Sequence, residues 1–179
     1  STLRAFDASM ARLALDRIEL CLIHWPAPSQ NRFVDTWRAL IRLRDEGRVR
    51  SIGVSNFMPD HLERLIGETG VVPVLNQIEL HPRLQQTELR TLHNTLGIVT
   101  QSWTPLGQGK SFDAAPVRDV VARTGKTPAQ VILRWHLQIG CSVIPRSTNA
   151  GRLAENLAIL DFTLTAAEMA AIAALDAAE

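Results

Sequence analysis

Two apolar rhythms alternate along the chain. Leu3 to Leu15, and then Phe33, Trp37, Leu40, Ile41 and Arg44, follow a helical period, which predicts two helices, the second stopped at Gly47. Short continuous apolar runs interleave with them at Ile18 to Ile23, Ile52 to Val54, Val74 to Ile78, Ile98 to Trp103 and Cys141 to Ile144. Such runs are the mark of parallel strands buried on both faces. Further helices are expected from about Asp60 to Ile66, with Leu62, Leu65 and Ile66 on one face, and from Leu84 to Leu96, stopped at Gly97. Thr127 to Gln130 form a capping box with proline at the first helical position, opening a helix to about Gln138. A short helix around Arg152 to Leu157 and a second capping box at Thr165 to Glu168 follow. Thr104 to Ala114, with Pro105, Gly107 and Gly109, is the longest irregular stretch and reads as a loop. No break in composition marks a linker, so residues 1–179 are expected to form a single domain.

Each strand run stops at polar or ring-bearing residues: LCLIHWP (20–26), IGVSNF (52–57), VLNQIE (74–79), VTQSWTPLG (99–107) and SVIPRS (142–147). In α/β proteins ligands collect where parallel strands end, so one family of sites on one rim is implied. Successive βα units suit either a doubly wound open sheet or part of a (β/α)8 barrel. The first should carry G-x-G-x-x-G after its first strand, and GQGKSF lacks the third glycine. Polar residues ending all five strands favour the barrel, whose strands point their C-terminal ends at one mouth.

Composition narrows the partners. The 179 residues are 46% apolar and carry a formal net charge of +1, with 19 Lys and Arg scattered among 18 acids, which argues against a nucleic-acid partner. No run approaches the roughly 18 apolar residues of a membrane span, and STLRAFDASM has no signal-peptide core, so the expectation is a cytoplasmic protein without a membrane partner. Cys21 and Cys141 lie in or beside apolar runs, far apart and outside any CxxC, and read as buried reduced thiols; no metal is expected. His61 and His93 fall on helical patterns and are expected to face solvent. His136 reads as a packing or capping residue, His81 before Pro82 as the organiser of a turn, and Trp37 and Trp135 as core.

The strings LIHWP, GVSNF, NQIELHP, SWTPLGQGK, TPAQVILRW and VIPRSTNAGRLAEN, in this order, resemble the aldo-keto reductases over essentially the whole chain. SWTPLGQGK and RWHLQ are most similar to bacterial members of the diketogluconate reductase type. The resemblance implies a TIM (β/α)8 barrel, of which this chain supplies about the last five βα units. It also implies NADP(H) as cofactor and the reduction of a small-molecule aldehyde or ketone by direct hydride transfer. His24 matches the active-site histidine beside the substrate carbonyl, and Trp25 a wall of the substrate pocket. Ser55, Asn56 and Gln77 match the residues that hold the nicotinamide carboxamide, and Trp103 stands where relatives stack an aromatic ring on the nicotinamide. Thr104, Pro105, Leu106, Gly107 and Gln108 resemble the loop over the pyrophosphate. Arg146, Ser147, Thr148 and Arg152 resemble the 2′-phosphate site, with Glu155 and Asn156 near the adenine.

The family takes its proton from a tyrosine, and this chain contains none. The expectation is therefore the C-terminal part of a reductase, inactive in isolation and monomeric when the barrel is complete. The alternative is a naturally truncated barrel that binds nucleotide or a partner without catalysis, with self-association through open sheet edges.

Overall fold

Glycines and caps set the element ends. A computed structural model describes residues 2–177. In chain order it contains α1 (Thr2–Leu13), β1 (Ile18–Ile23), α2 (Phe33–Asp45), β2 (Val49–Ser55), α3 (Pro59–Thr69), β3 (Leu75–Glu79), α4 (Thr87–Leu96), β4 (Val99–Trp103), α5 (Ala115–Thr124), α6 (Pro128–Gln138), β5 (Ser142–Val143), α7 (Ala150–Leu157) and α8 (Ala166–Ala173). Both expected capping boxes form: Gln130 N–H donates to Thr127 Oγ1 at 3.3 Å, and Glu168 N–H to Thr165 Oγ1 at 3.2 Å.

The strands form one sheet in the order β1, β2, β3, β4, β5. The ladders β1 to β2, β2 to β3 and β4 to β5 are parallel, with Ser55 opposite Gln77 and Gln101 opposite Ser142. Parallel pairing demands a crossover after each strand, and the helices between them supply it.

Internal contacts divide the described chain into two compact units, one built on residues up to Gln77 with Thr91–Val99, the other on Ile78–Arg90 with residues from Thr100 onward. The first unit is cored by Trp37, Leu43, Ile52, Val54, Phe57, Leu62 and Leu65, all at most 1% exposed. Trp37 keeps its indole N–H satisfied by donating to the carbonyl of Val71 at 3.3 Å. The second is cored by Val117, Val120, Val131, Ile132, Leu133, Trp135 and Ile172, again at most 1% exposed.

Several expectations are corrected. α5 falls where no helix was expected, although Pro116 near its start, Val117, Val120 and Val121 at helical spacing, and Gly125 at its end carry the signal. α4 begins at Thr87 rather than Leu84, because His81 and Leu84 close a tight antiparallel bridge first. β1 is not buried on both faces: Glu19 and Leu20 are exposed, and its ladder among the described residues is the one with β2. Cys21 on it is correspondingly half-buried, whereas Cys141 is buried; both thiols are free.

His93 does not face solvent. It is fully buried one turn beyond Leu89 on the inner face of α4. His61 is mostly covered as well, its ring edge-on to Phe33 and Phe57 at centroid distances of 5.7 and 5.8 Å.

Candidate functional site

In the first unit three consecutive strand ends are tied by short polar groups. His24 directly follows β1, Asn56 directly follows β2, and Gln77 lies in β3 opposite Ser55. The carbonyl of Gln77 accepts from Ser55 Oγ at 2.8 Å and from Asn56 N–H at 2.9 Å. Asn56 Nδ2 donates to the carbonyl of His24 and to Ser55 Oγ, each at 3.1 Å. Asn56 can take this position because its φ is +62°, a left-handed conformation that asparagine tolerates better than most side chains. Ser55 is buried and His24 exposed, while Trp25 is 56% exposed with its ring edge-on to His24 at 6.3 Å. These four sequence-expected residues, His24, Ser55, Asn56 and Gln77, are thus brought together.

In the second unit the expected loop after β4 is a sequence of tight turns. Gly107 N–H donates to the Thr104 carbonyl and Gly109 N–H to that of Leu106, both at 2.9 Å, and Thr104 and Gln108 take φ values of +50° and +55°. Two histidines hold it. His136 on α6 lies with Nε2 2.9 Å from the Pro105 carbonyl, and the ring of His81 packs under Gly107, where an added Cβ would meet its Cγ at 3.0 Å. A carbonyl can only accept, so the proton of His136 sits on Nε2. Burial pushes the His136 pKa down to about 4; the Pro105 carbonyl opposes this, and the nearby His81 and Arg90 add to it. Burial also lowers the pKa of His81, with Glu79 acting against it.

The same loop borders a cavity of about 320 Å³ formed by Thr104, Pro105, Leu106, Gln108, Gly109, Phe112, Pro145 and Arg146. Pro145 also borders an apolar cavity of about 530 Å³ lined by Val143, Leu153, Asn156, Leu157, Ile159 and Leu160. Trp103 is half-buried at the end of β4. After β5, Asn149 N–H donates to Ser147 Oγ at 3.1 Å, and Asn149 Oδ1 caps α7 by accepting from Arg152 N–H at 3.0 Å. Arg146, Thr148 and Arg152 are exposed, and among the described ion pairs neither guanidinium is engaged. The Glu155 carboxylate accepts from the hydroxyl of Thr127, joining α7 to the cap of α6. No group of three or more metal-ligating side chains occurs among the described residues. Nor is any described helix long and apolar enough to cross a membrane.

The chain matches the sequence profile of the Aldo/keto reductase family over residues 1–177. The chain belongs to the aldo/keto reductase family. An aldo-keto reductase of Mycolicibacterium smegmatis is 54% identical over 176 residues, covering 98% of this chain and 64% of the relative. The methylglyoxal reductase DkgA of Salmonella typhimurium is 49% identical over 174 residues, covering 96% of this chain and 63% of the relative. Among solved structures, an aldo/keto reductase of Brucella melitensis superposes with a TM-score of 0.93 at 51% identity, over 98% of this chain and 67% of that one. A variant of Gox0644 in complex with NADPH gives a TM-score of 0.95 at 51% identity, over 98% of this chain and 65% of that one. This aldo/keto reductase chain spans 64% of the length of the first of these relatives.

Nothing in the sequence marks His81, His136, Phe112 or Pro145 as neighbours of this loop and its cavities. His81 and His136 were visible as a turn residue and a helix residue, but nothing in their spacing pointed at the loop they support.

Proposed function

We propose that this chain carries the cofactor-holding and carbonyl-facing residues of an NADPH-dependent reductase of small aldehydes or ketones, and that its five βα units belong to a single-domain (β/α)8 barrel. The placement of His24, Ser55, Asn56 and Gln77 at neighbouring strand ends, tied through the backbone carbonyls of His24 and Gln77, carries the reading, because it gathers residue types that offer the donors and acceptors an amide needs. The NADPH complex of the Gox0644 variant supports the cofactor, and the name of the methylglyoxal reductase relatives supports a small carbonyl substrate.

The residues of the second unit fit a phosphorylated dinucleotide. Two cavities share Pro145, one bordered by Arg146 and loop backbone, the other apolar with Asn156 at its wall. Arg146, Ser147, Thr148 and Arg152 take the 2′-phosphate by charge-assisted hydrogen bonds, and Asn156 with the apolar cavity takes the adenine. Glu155, held by Thr127, stands with Asn156 near the adenine. Thr104, Pro105, Leu106, Gly107 and Gln108 approach the pyrophosphate through backbone, and the indole of Trp103 offers a flat face to the nicotinamide. Ser55, Asn56 and Gln77 orient the carboxamide.

When bound, NADPH supplies the hydride. His24 donates a hydrogen bond to the carbonyl oxygen, on which negative charge grows as the carbon is reduced, and Trp25 walls the substrate. The alcohol product also needs a proton. The 179 residues contain no tyrosine, so they cannot deliver it as the family does, and turnover by these residues alone is expected to be absent.

That same lack of tyrosine favours one second reading, a nucleotide-binding module without catalysis. Titration of the chain with NADPH, followed by quenching of tryptophan fluorescence, tests the first step. Saturable binding supports the nucleotide site; absence of binding at millimolar cofactor overturns it for this chain. Mixing the chain with the N-terminal third of a relative and an aldehyde then separates a reductase part, which gains NADPH oxidation, from a module, which does not.

A further inference from the structure

Asn76 is a buried polar side chain that the carbonyl chemistry does not use. It lies in β3 beside Gln77, opposite Val54 in β2, and is fully buried. Its amide pairs with the backbone of one residue: Nδ2 donates to the Phe57 carbonyl at 2.8 Å, and Oδ1 accepts from Phe57 N–H at 3.4 Å. Phe57 directly follows Asn56, after the β2 ladder has ended and before Pro59 opens α3. Asn76 therefore stands in for the missing ladder partner at the step where the backbone turns through the left-handed Asn56.

The backbone of Phe57 also fixes which way this amide points. Its N–H can only donate and its carbonyl can only accept, so Oδ1 and Nδ2 of Asn76 cannot be exchanged. The second Nδ2 hydrogen then faces His93 Nε2, 3.0 Å away and likewise buried. That nitrogen must accept, which puts the ring proton of His93 on Nδ1. A protonated His93 would set N–H against N–H and break the chain of bonds. Burial keeps the ring neutral, with a pKa pushed down to about 4.

We infer that Asn76 and His93 are positioning residues for the nicotinamide site: Asn76 clamps the Phe57 backbone, His93 holds the Asn76 amide in the orientation that clamp requires, and together they fix the turn presenting Ser55 and Asn56. This rests on the reading that Ser55, Asn56 and Gln77 hold the carboxamide. Neither residue touches cofactor or substrate. Their action is on the direction of Asn56, whose amide bridges the His24 carbonyl and Ser55.

The experiment compares affinities of the chain for NADP+ and for 2′-phospho-ADP-ribose, which lacks the nicotinamide. The ratio of the two dissociation constants isolates what the nicotinamide contributes, independent of turnover. Loss of one to two well-directed hydrogen bonds corresponds to roughly a tenfold fall in that ratio. His93→Leu is expected to produce such a fall while leaving affinity for 2′-phospho-ADP-ribose within about twofold of wild type. His93→Gln, which can still accept from Asn76, is expected to recover most of it. Should His93→Leu fail to fold, Asn76→Ser, a smaller change at the other end of the same bond, is expected to give the same selective fall.

Asn56→Ala separates this inference from the reading beneath it. If Asn56→Ala abolishes the nicotinamide preference and the His93 and Asn76 variants leave it intact, the positioning role is overturned and the carboxamide site stands. A wild-type chain without any preference, or one unchanged by Asn56→Ala, overturns both. Equal losses for both ligands in His93→Leu and Asn76→Ser would assign the pair to general stability and also overturn the inference.

Discussion

The buried ring of His136 on α6 donates through Nε2 to the carbonyl oxygen of Pro105, 2.9 Å away in the loop that follows β4. The bond joins a helix interior to a tight-turned loop, so its loss has a local and a global consequence. His136→Leu leaves the Pro105 carbonyl without its donor, at a cost of about 1–3 kcal/mol. Chemical denaturation is expected to register that loss at neutral pH, and proteolysis under native conditions to cut first between Thr104 and Ala114.

Acid should weaken the fold through the buried histidines. Folded His136 and His93 resist protonation to about pH 4, whereas the same residues in an unfolded chain take up protons near 6.5. The stability gained by burying them neutral is therefore complete above pH 6.5 and is lost as pH falls from 6.5 toward 4. A melting temperature that declines through this window, with a smaller decline in His136→Leu, is the expected result; a flat profile between pH 7 and 4 would contradict it.

Gly107→Ala should disturb the loop from below. Its φ of +52° disfavours any Cβ, and that Cβ would lie 3.0 Å from the ring of His81, itself buried. Strain and displacement together are expected to cost about 1–3 kcal/mol. The test is the denaturation midpoint alongside NADPH affinity, both of which should fall.

Gly53→Ala probes the sheet. A Cβ there would come within 2.7 Å of the Leu75 carbonyl oxygen and of Leu22 Cδ2, and the backbone atom of β3 cannot give way as a side chain can. The expected loss is about 3 kcal/mol, at the upper end for overpacked sites, with little soluble protein recovered on expression.

The proposed 2′-phosphate role of Arg146 and Arg152 makes a prediction about cofactor choice. Replacing either with alanine should weaken NADPH roughly tenfold, the scale of one charge-assisted hydrogen bond at an exposed site, while NADH binding changes little. Isothermal titration with both nucleotides decides the matter, since equal losses for the two would remove the phosphate assignment.

Much of the architecture was legible because local chemistry and tertiary role agreed. The Thr127 and Thr165 capping boxes, the apolar run of β1 and the helical spacing around Trp37 each announce one structure, and each forms. α5 is harder to read, because the valines that stand at helical spacing between Pro116 and Gly125 also favour strands locally, and burial of Val117 and Val120 in the second unit decides for the helix. Glu155 shows what spacing does not reveal: its carboxylate is engaged by Thr127, a partner 28 positions away.

By itself the sequence determined the βα alternation, the family, and the polar strand ends where His24, Ser55, Asn56 and Gln77 stand, because these depend on side-chain type at short spacing. Tertiary structure alone decided which polar side chains turn inward. His93 and His136 lie on helices whose sequence admits either face, and their burial against Asn76 and Pro105 comes from partners 17 and 31 residues away. Hydrogen bonds over such separations leave no periodic trace in a sequence. They fix the tautomers of both histidines and hold the backbone of Phe57 and Pro105, beside residues proposed to hold the cofactor.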